Sequence, residues 1–136
     1  MDDVIINKSA IIEKCIHRIK EEYIGFEDEF VENYTKQDSI VLNIERATQA
    51  CIDLGAYWVK KRKLGIPQAN REVFQFLEKA KLIPLTLSEK LQAMVGFRDI
   101  AVHNFQKINL NIIRSIIEKD LDDLIRFKEI IHSTLI

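Results

Sequence analysis

Apolar residues return every three or four positions along almost the whole of this chain, and few turn-forming residues interrupt them. That spacing is the signature of amphipathic helices. Only four glycines and two prolines occur among 136 residues, too few to punctuate many short strands. The expected class is therefore all-α: an up-and-down bundle of four long helices plus one short one, forming a single domain over residues 1–136. Hydrophobic residues make up 47% of the chain and charged residues 30%, a mixture that suits a packed core and excludes disorder.

The pattern predicts a first helix from about Asp2 to Tyr23, with Ile5, Ile12, Ile16 and Ile19 facing inward and Gly25 ending it. An acidic loop, Glu27 to Glu32, should follow. The second helix is expected to start at an Asp38 or Ser39 cap and to bury Ile40, Ile44, Ala47, Cys51, Leu54 and Trp58. It should end in the basic run Lys60 to Lys63, before Gly65 and Pro67. A short helix from about Arg71 to Leu82 comes next, closed by Pro84. A Thr86 or Ser88 cap should open the fourth helix, about Leu87 to Asn104, with Glu89 in its first turn. The last helix should begin near Asn109 or Asn111 and run almost to Ile136.

The formal net charge of −1 gives no global basic field, so any nucleic-acid contact must be local. The run Lys60 to Lys63 could steer RNA, or could simply be a solvated helix end favoured by the macrodipole. No apolar stretch approaches the length that spans a bilayer, and Met1-Asp2-Asp3 is not the opening of a signal peptide. The expected compartment is the cytoplasm, where Cys15 and Cys51 would be free thiols, although a disulfide between them is possible in principle. The three histidines show no ligand spacing, so neither a metal nor a cofactor is expected.

Function should reside where the helical pattern breaks. On the fourth helix Leu87, Leu91, Met94, Val102 and Phe105 form one stripe, and Arg98 falls in its middle. A guanidinium on an apolar face must either pair with a carboxylate from another helix or face a cleft where it can take an anion such as phosphate. Asp99 and His103, four positions apart, share a face and could hydrogen-bond, which would orient the imidazole for proton transfer. An isolated His beside an Asp can equally be structural, so the grouping of Arg98, Asp99 and His103 carries more weight than any one of them.

The run Gly96-Phe97-Arg98-Asp99-Ile100-Ala101-Val102-His103-Asn104-Phe105 resembles the Arg-x4–6-His motif of the HEPN superfamily. It is most similar to the HepT-like toxins of bacterial HEPN–MNT toxin–antitoxin pairs, and helix order and length match them across the chain. The resemblance implies a metal-independent endoribonuclease with Arg98 and His103 as its catalytic pair. Asp99 and Asn104 would support them, the first orienting, the second hydrogen-bonding phosphate or base. It also implies a homodimer whose two motifs face each other across the interface, and a nucleotidyltransferase (MNT) antitoxin as partner. Those toxins usually carry Arg-x4-His-x-Tyr, with AMP placed on the tyrosine; here that position is Phe105. Either silencing works differently or the modifiable residue has been replaced. Two other readings stand beside the nuclease: a non-catalytic module binding a nucleotide or a nucleotidyltransferase, and a bundle that merely dimerises.

Overall fold

The fold is that of a computed structural model, which describes residues 2–104 and 108–135. All regular structure among them is helical: α1 (Asp3–Tyr23), α2 (Glu27–Phe30), α3 (Tyr34–Lys61), α4 (Asn70–Lys79), α5 (Leu85–His103), α6 (Leu110–Ser115), a π-helical turn (Ile116–Asp120) and α7 (Leu121–Leu135). The helices α1, α3, α5 and the α6–α7 run are the four long members of the expected bundle. The inward residues expected on α1 and α3 are all buried.

α3 is the central rod, packing against α1, α4, α5 and α7. Cross-helix contacts fix the directions of its neighbours. Lys8 of α1 pairs with Asp53 of α3 at 2.9 Å, whereas Glu22 at the other end of α1 accepts from Ser39 at 2.6 Å, so the two run antiparallel. α1 and α7 are also antiparallel: Ser9 meets His132 at 2.9 Å, Glu13 pairs with Lys128, and Lys20 lies 3.6 Å from Asp122. At the centre Trp58, Phe74 and Phe127 stack, with Phe74 edge-on to Phe127 at 5.4 Å between ring centroids. Gly55 lets α4 approach α3 there, since a Cβ at that position would stand 2.6 Å from Cγ1 of Val73.

Several boundaries differ from the sequence expectation, each because a capping residue is used otherwise. α3 starts one turn early, at Tyr34, because the Asn33 side chain accepts the Lys36 N–H at 2.9 Å. Ser39, an expected cap, instead donates to Glu22 of α1. The acidic stretch after Gly25 is not all loop: residues Glu27–Phe30 form the single turn α2. Gln37 ties that turn down by donating to the carbonyls of Phe30 and Val31 at 2.7 and 3.1 Å. α4 stops at Lys79, where Lys81 takes a φ of 60° and Leu82 N–H reaches back to Leu77. α5 opens at Leu85 with Pro84 at the cap position, leaving Glu89 beyond the first turn. Ser88 is wholly buried, donating to the Phe74 carbonyl of α4 at 3.3 Å, so it joins helices and does not cap one.

Candidate active site at the end of helix α5

The first half of α5 belongs to the core. Leu87, Leu91, Met94 and Val95 are buried, and Phe97 and Ala101 continue that face toward the helix end. Gly96 lies against Arg71 of α4: a Cβ there would stand 2.4 Å from the guanidinium, the mobile end of an exposed side chain that can shift aside. The expected stripe does not stay apolar and buried to its end. Val102 is 48% exposed, as is its neighbour Ile100 at 49%, so the last turn of α5 leaves the core with apolar side chains showing.

Arg98 sits where burial gives way to exposure, its side chain 24% accessible. Its Nη1 donates to Oδ1 of Asp99 at 3.2 Å. The hydrogen bond that Asp99 could have accepted from His103 is therefore replaced by one accepted from Arg98, because an adjacent permanent cation is the stronger partner for the carboxylate. Among the described residues the His103 side chain makes no hydrogen bond, and His103 is exposed at the last helical position. His103 lies five positions after Arg98, about 7.5 Å along the axis and about 140° around it. One copy of the helix thus presents them on different sides. Asn104 follows as the C-cap, its N–H bonded to the Ile100 carbonyl at 2.7 Å and its side chain exposed. Phe105, the position that departs from the toxin motif, lies outside the described residues.

Two neighbours escaped sequence reasoning. Glu45 of α3 lies in the field of Arg98 and Arg46; burial nevertheless dominates and pushes its carboxyl above the ordinary value, with the two arginines opposing. Nothing in its local sequence marks it, because proximity between helices is a property of packing. Arg71 carried a usable signal, since a glycine inside a helix costs stability and often records a close approach. Beside the motif, Arg71, Phe97, Asp99, Ile100, Ile108 and Ile112 line a cleft of about 500 Å³. Both cysteines are buried and unpaired, and burial raises each thiol. Among the described residues no three His, Cys, Asp or Glu side chains gather as metal ligands, and no helix is long and apolar enough to cross a membrane.

Comparison with known proteins matches this geometry to one family. The family model described as "Ribonuclease HepT-like" matches residues 12–131. The mRNA nuclease HepT of Shewanella oneidensis is 42% identical over 133 residues, which cover 98% of this chain and 99% of that protein. Among solved structures, the tri-AMPylated Shewanella oneidensis HEPN toxin in complex with MNT antitoxin superposes with a TM-score of 0.93. It is 41% identical, over 98% of this chain and 99% of that one. A toxin–antitoxin complex with AMP-PNP gives the same TM-score and identity over 97% and 99% of the two chains. On a full-length match of sequence and fold, the chain belongs to the HepT-like ribonuclease family.

Proposed function

We propose that this protein is the toxin of a bacterial HEPN–MNT pair, a metal-independent endoribonuclease whose catalytic residues are Arg98 and His103. The observation that carries the reading is the 42% identity, across 98% of the chain, to an mRNA nuclease. The exposed His103 and the partly exposed Arg98 at the end of α5 agree with it.

RNA brings its own nucleophile. His103 removes the 2′-hydroxyl proton; the 2′-oxygen attacks the adjacent phosphorus and the P–O5′ bond breaks. The departing 5′-oxygen takes a proton from the second copy's imidazole, leaving a 2′,3′-cyclic phosphate and a 5′-hydroxyl. Arg98 stabilises the charge on the phosphorane oxygens, which its planar fork fits. Asp99 steadies that guanidinium, and Asn104 offers a further hydrogen bond to phosphate or base. Two copies are needed because one helix holds Arg98 and His103 on different sides. Ile100, Val102 and Ile112, each about half exposed, supply an apolar margin for such a two-fold contact. The test is incubation with RNA in EDTA: a cyclic-phosphate product, no cleavage of DNA, and a sedimenting mass of about twice 15.9 kDa are expected. A monomer, or a nuclease that EDTA silences, would refute the composite site.

The antitoxin of this reading is a nucleotidyltransferase like the MNT protein bound to the tri-AMPylated relative. AMP transfer needs a nucleophilic oxygen, and the ring of Phe105 has none. Incubation with such an antitoxin and ATP should leave position 105 unmodified, while Phe105→Tyr should gain the mass of AMP and lose RNA cleavage. A Phe105→Tyr protein that gains no AMP would show that this position is not the switch.

A further inference from the structure

A second polar feature lies away from the α5 motif, in a groove of about 390 Å³ between α1 and α3. Lys8, Lys14 and Arg18 line it from α1 and Arg46 from α3, four cations against the single carboxylate of Asp53. This concentration stands out in a chain whose formal net charge is −1. Internal ion pairs use only part of it. Lys8 is held by Asp53 at 2.9 Å, and Arg18 reaches Glu22 on its own helix at 3.8 Å. Lys14 and Arg46 have no carboxylate within salt-bridge distance among the described residues, and both side chains are exposed. They come from different helices yet line the same groove, together with Cys15.

On α3 the groove residue Arg46 directly follows Glu45, the half-buried carboxyl that also lies in the field of Arg98. From Lys8 to Arg18 the basic edge runs about 15 Å along α1. Consecutive phosphates of one strand are about 3.4 Å apart as projected on a duplex axis and farther apart in an extended single strand, so that length meets roughly two or three phosphates of an extended strand. Asn43 and Gln49 add neutral hydrogen-bonding groups to a lining whose floor is Cys15 and Ala50.

We propose that the α1–α3 groove is a track for the phosphate backbone of the RNA, anchored principally by Lys14 and Arg46. The proposal rests on the ribonuclease reading and adds to it a binding surface remote from the chemistry. Its character is electrostatic and independent of base sequence. An acidic face of the antitoxin is the other anionic surface that could seat here. RNA is favoured because four cations set along about 15 Å of groove match a repeating row of phosphates, the polyanion that a ribonuclease must hold.

The experiment measures binding of a fluorescent single-stranded RNA by anisotropy, in the full-length His103→Ala protein so that the probe survives. Adding Lys14→Ala and Arg46→Ala should weaken binding on the order of tenfold, equally for unrelated sequences. The slope of log affinity against log salt should flatten by about 0.7 for each phosphate no longer neutralised. Replacing both with glutamate should deepen the loss. Lys79→Ala with Lys81→Ala, at the far end of α4, removes the same charge and should alter affinity by no more than about twofold. Equal losses in the groove pair and the α4 pair would overturn the track. So would an unchanged affinity and salt slope, or a groove variant that binds RNA normally but fails to bind antitoxin. A protein that neither cuts nor binds RNA would refute the nuclease reading and the track together. One that cuts RNA but ignores both cations refutes the track alone.

Discussion

The face of the bundle built from α1, α3 and α7 and the last turn of α5 are made of similar residues but organised in opposite ways. On the first, apart from the groove cations Lys14 and Arg46, charged side chains pair across helices: Lys8 with Asp53, Glu13 with Lys128 and Lys20 with Asp122. The isoleucines beneath them are buried. On the second, among the described residues Arg98 pairs only with its own neighbour Asp99, the exposed His103 side chain makes no hydrogen bond, and Ile100 and Val102 face outward. Interhelical ties hold a fold in register; side chains without them are available to something outside the chain. The difference separates residues that maintain the structure from residues that use it.

The sharpest way to break that division is to cross it with substitutions. His103→Ala and Arg98→Ala should each lower RNA cleavage by about 10²–10⁴-fold, the range for loss of an acid–base group or a charge stabiliser. Growth inhibition by the protein expressed alone should disappear with it. Helicity by circular dichroism and the denaturation midpoint should hardly move, since neither side chain ties two helices together. A folded His103→Ala protein that still cuts RNA at the full rate would end the assignment. Equally, an Arg98→Ala protein that unfolds would place Arg98 on the structural side of the division.

Substitutions on the packed side should do the reverse. Phe127→Ala removes the ring that Trp58 and Phe74 pack against and should cost about 3–5 kcal/mol in chemical denaturation. Gly55→Ala introduces a methyl 2.6 Å from Val73 on a helix pair that cannot separate freely. Overpacking of that kind costs about 1–3 kcal/mol, although alanine is the better helix former. In both variants cleavage measured where the protein remains folded should match the parent. A stable Gly55→Ala protein would mean that α4 yields easily.

How much of this was legible in the sequence follows from the range of the interactions involved. The core of α1 and α3, from Ile5 to Trp58, could be read off because apolar periodicity is a local property. The Arg98 to His103 motif was visible because a charge on an apolar stripe breaks that same pattern. What could not be read were pairings across helices. Ser39 and Ser88 look like caps, yet Glu22 and the Phe74 carbonyl claim them. Asp99 is spaced to meet His103, yet Arg98 holds it. The groove cations Lys14 and Arg46 are 32 positions apart and nothing local relates them. The π-helical turn at Ile116–Asp120 likewise has no signature in the pattern, although it places Glu118 where Tyr23 can donate to it at 3.0 Å.

The smallest expected effect tests the boundary between the two regions, where Glu45 stands. Burial makes its carboxyl harder to ionise in the folded protein than in the unfolded chain, despite Arg98 and Arg46. Ionisation therefore opposes folding. The stability associated with its neutral form is complete below the ordinary value of 4.5 and is lost as pH rises through the raised value. Glu45→Gln stays neutral throughout, so its stability should fall less than the parent's as pH rises above 4.5. Asp120 is raised by burial and by Asp123 and slopes the same way in both proteins, so the difference between the two curves isolates Glu45. Urea denaturation at fixed protein concentration across that range is the measurement. A difference curve that is flat, or that slopes the other way, would mean that Arg98 and Arg46 outweigh burial. Glu45 would then be a true ion-pair partner, and Arg98 would be anchored to the core as well as exposed to substrate.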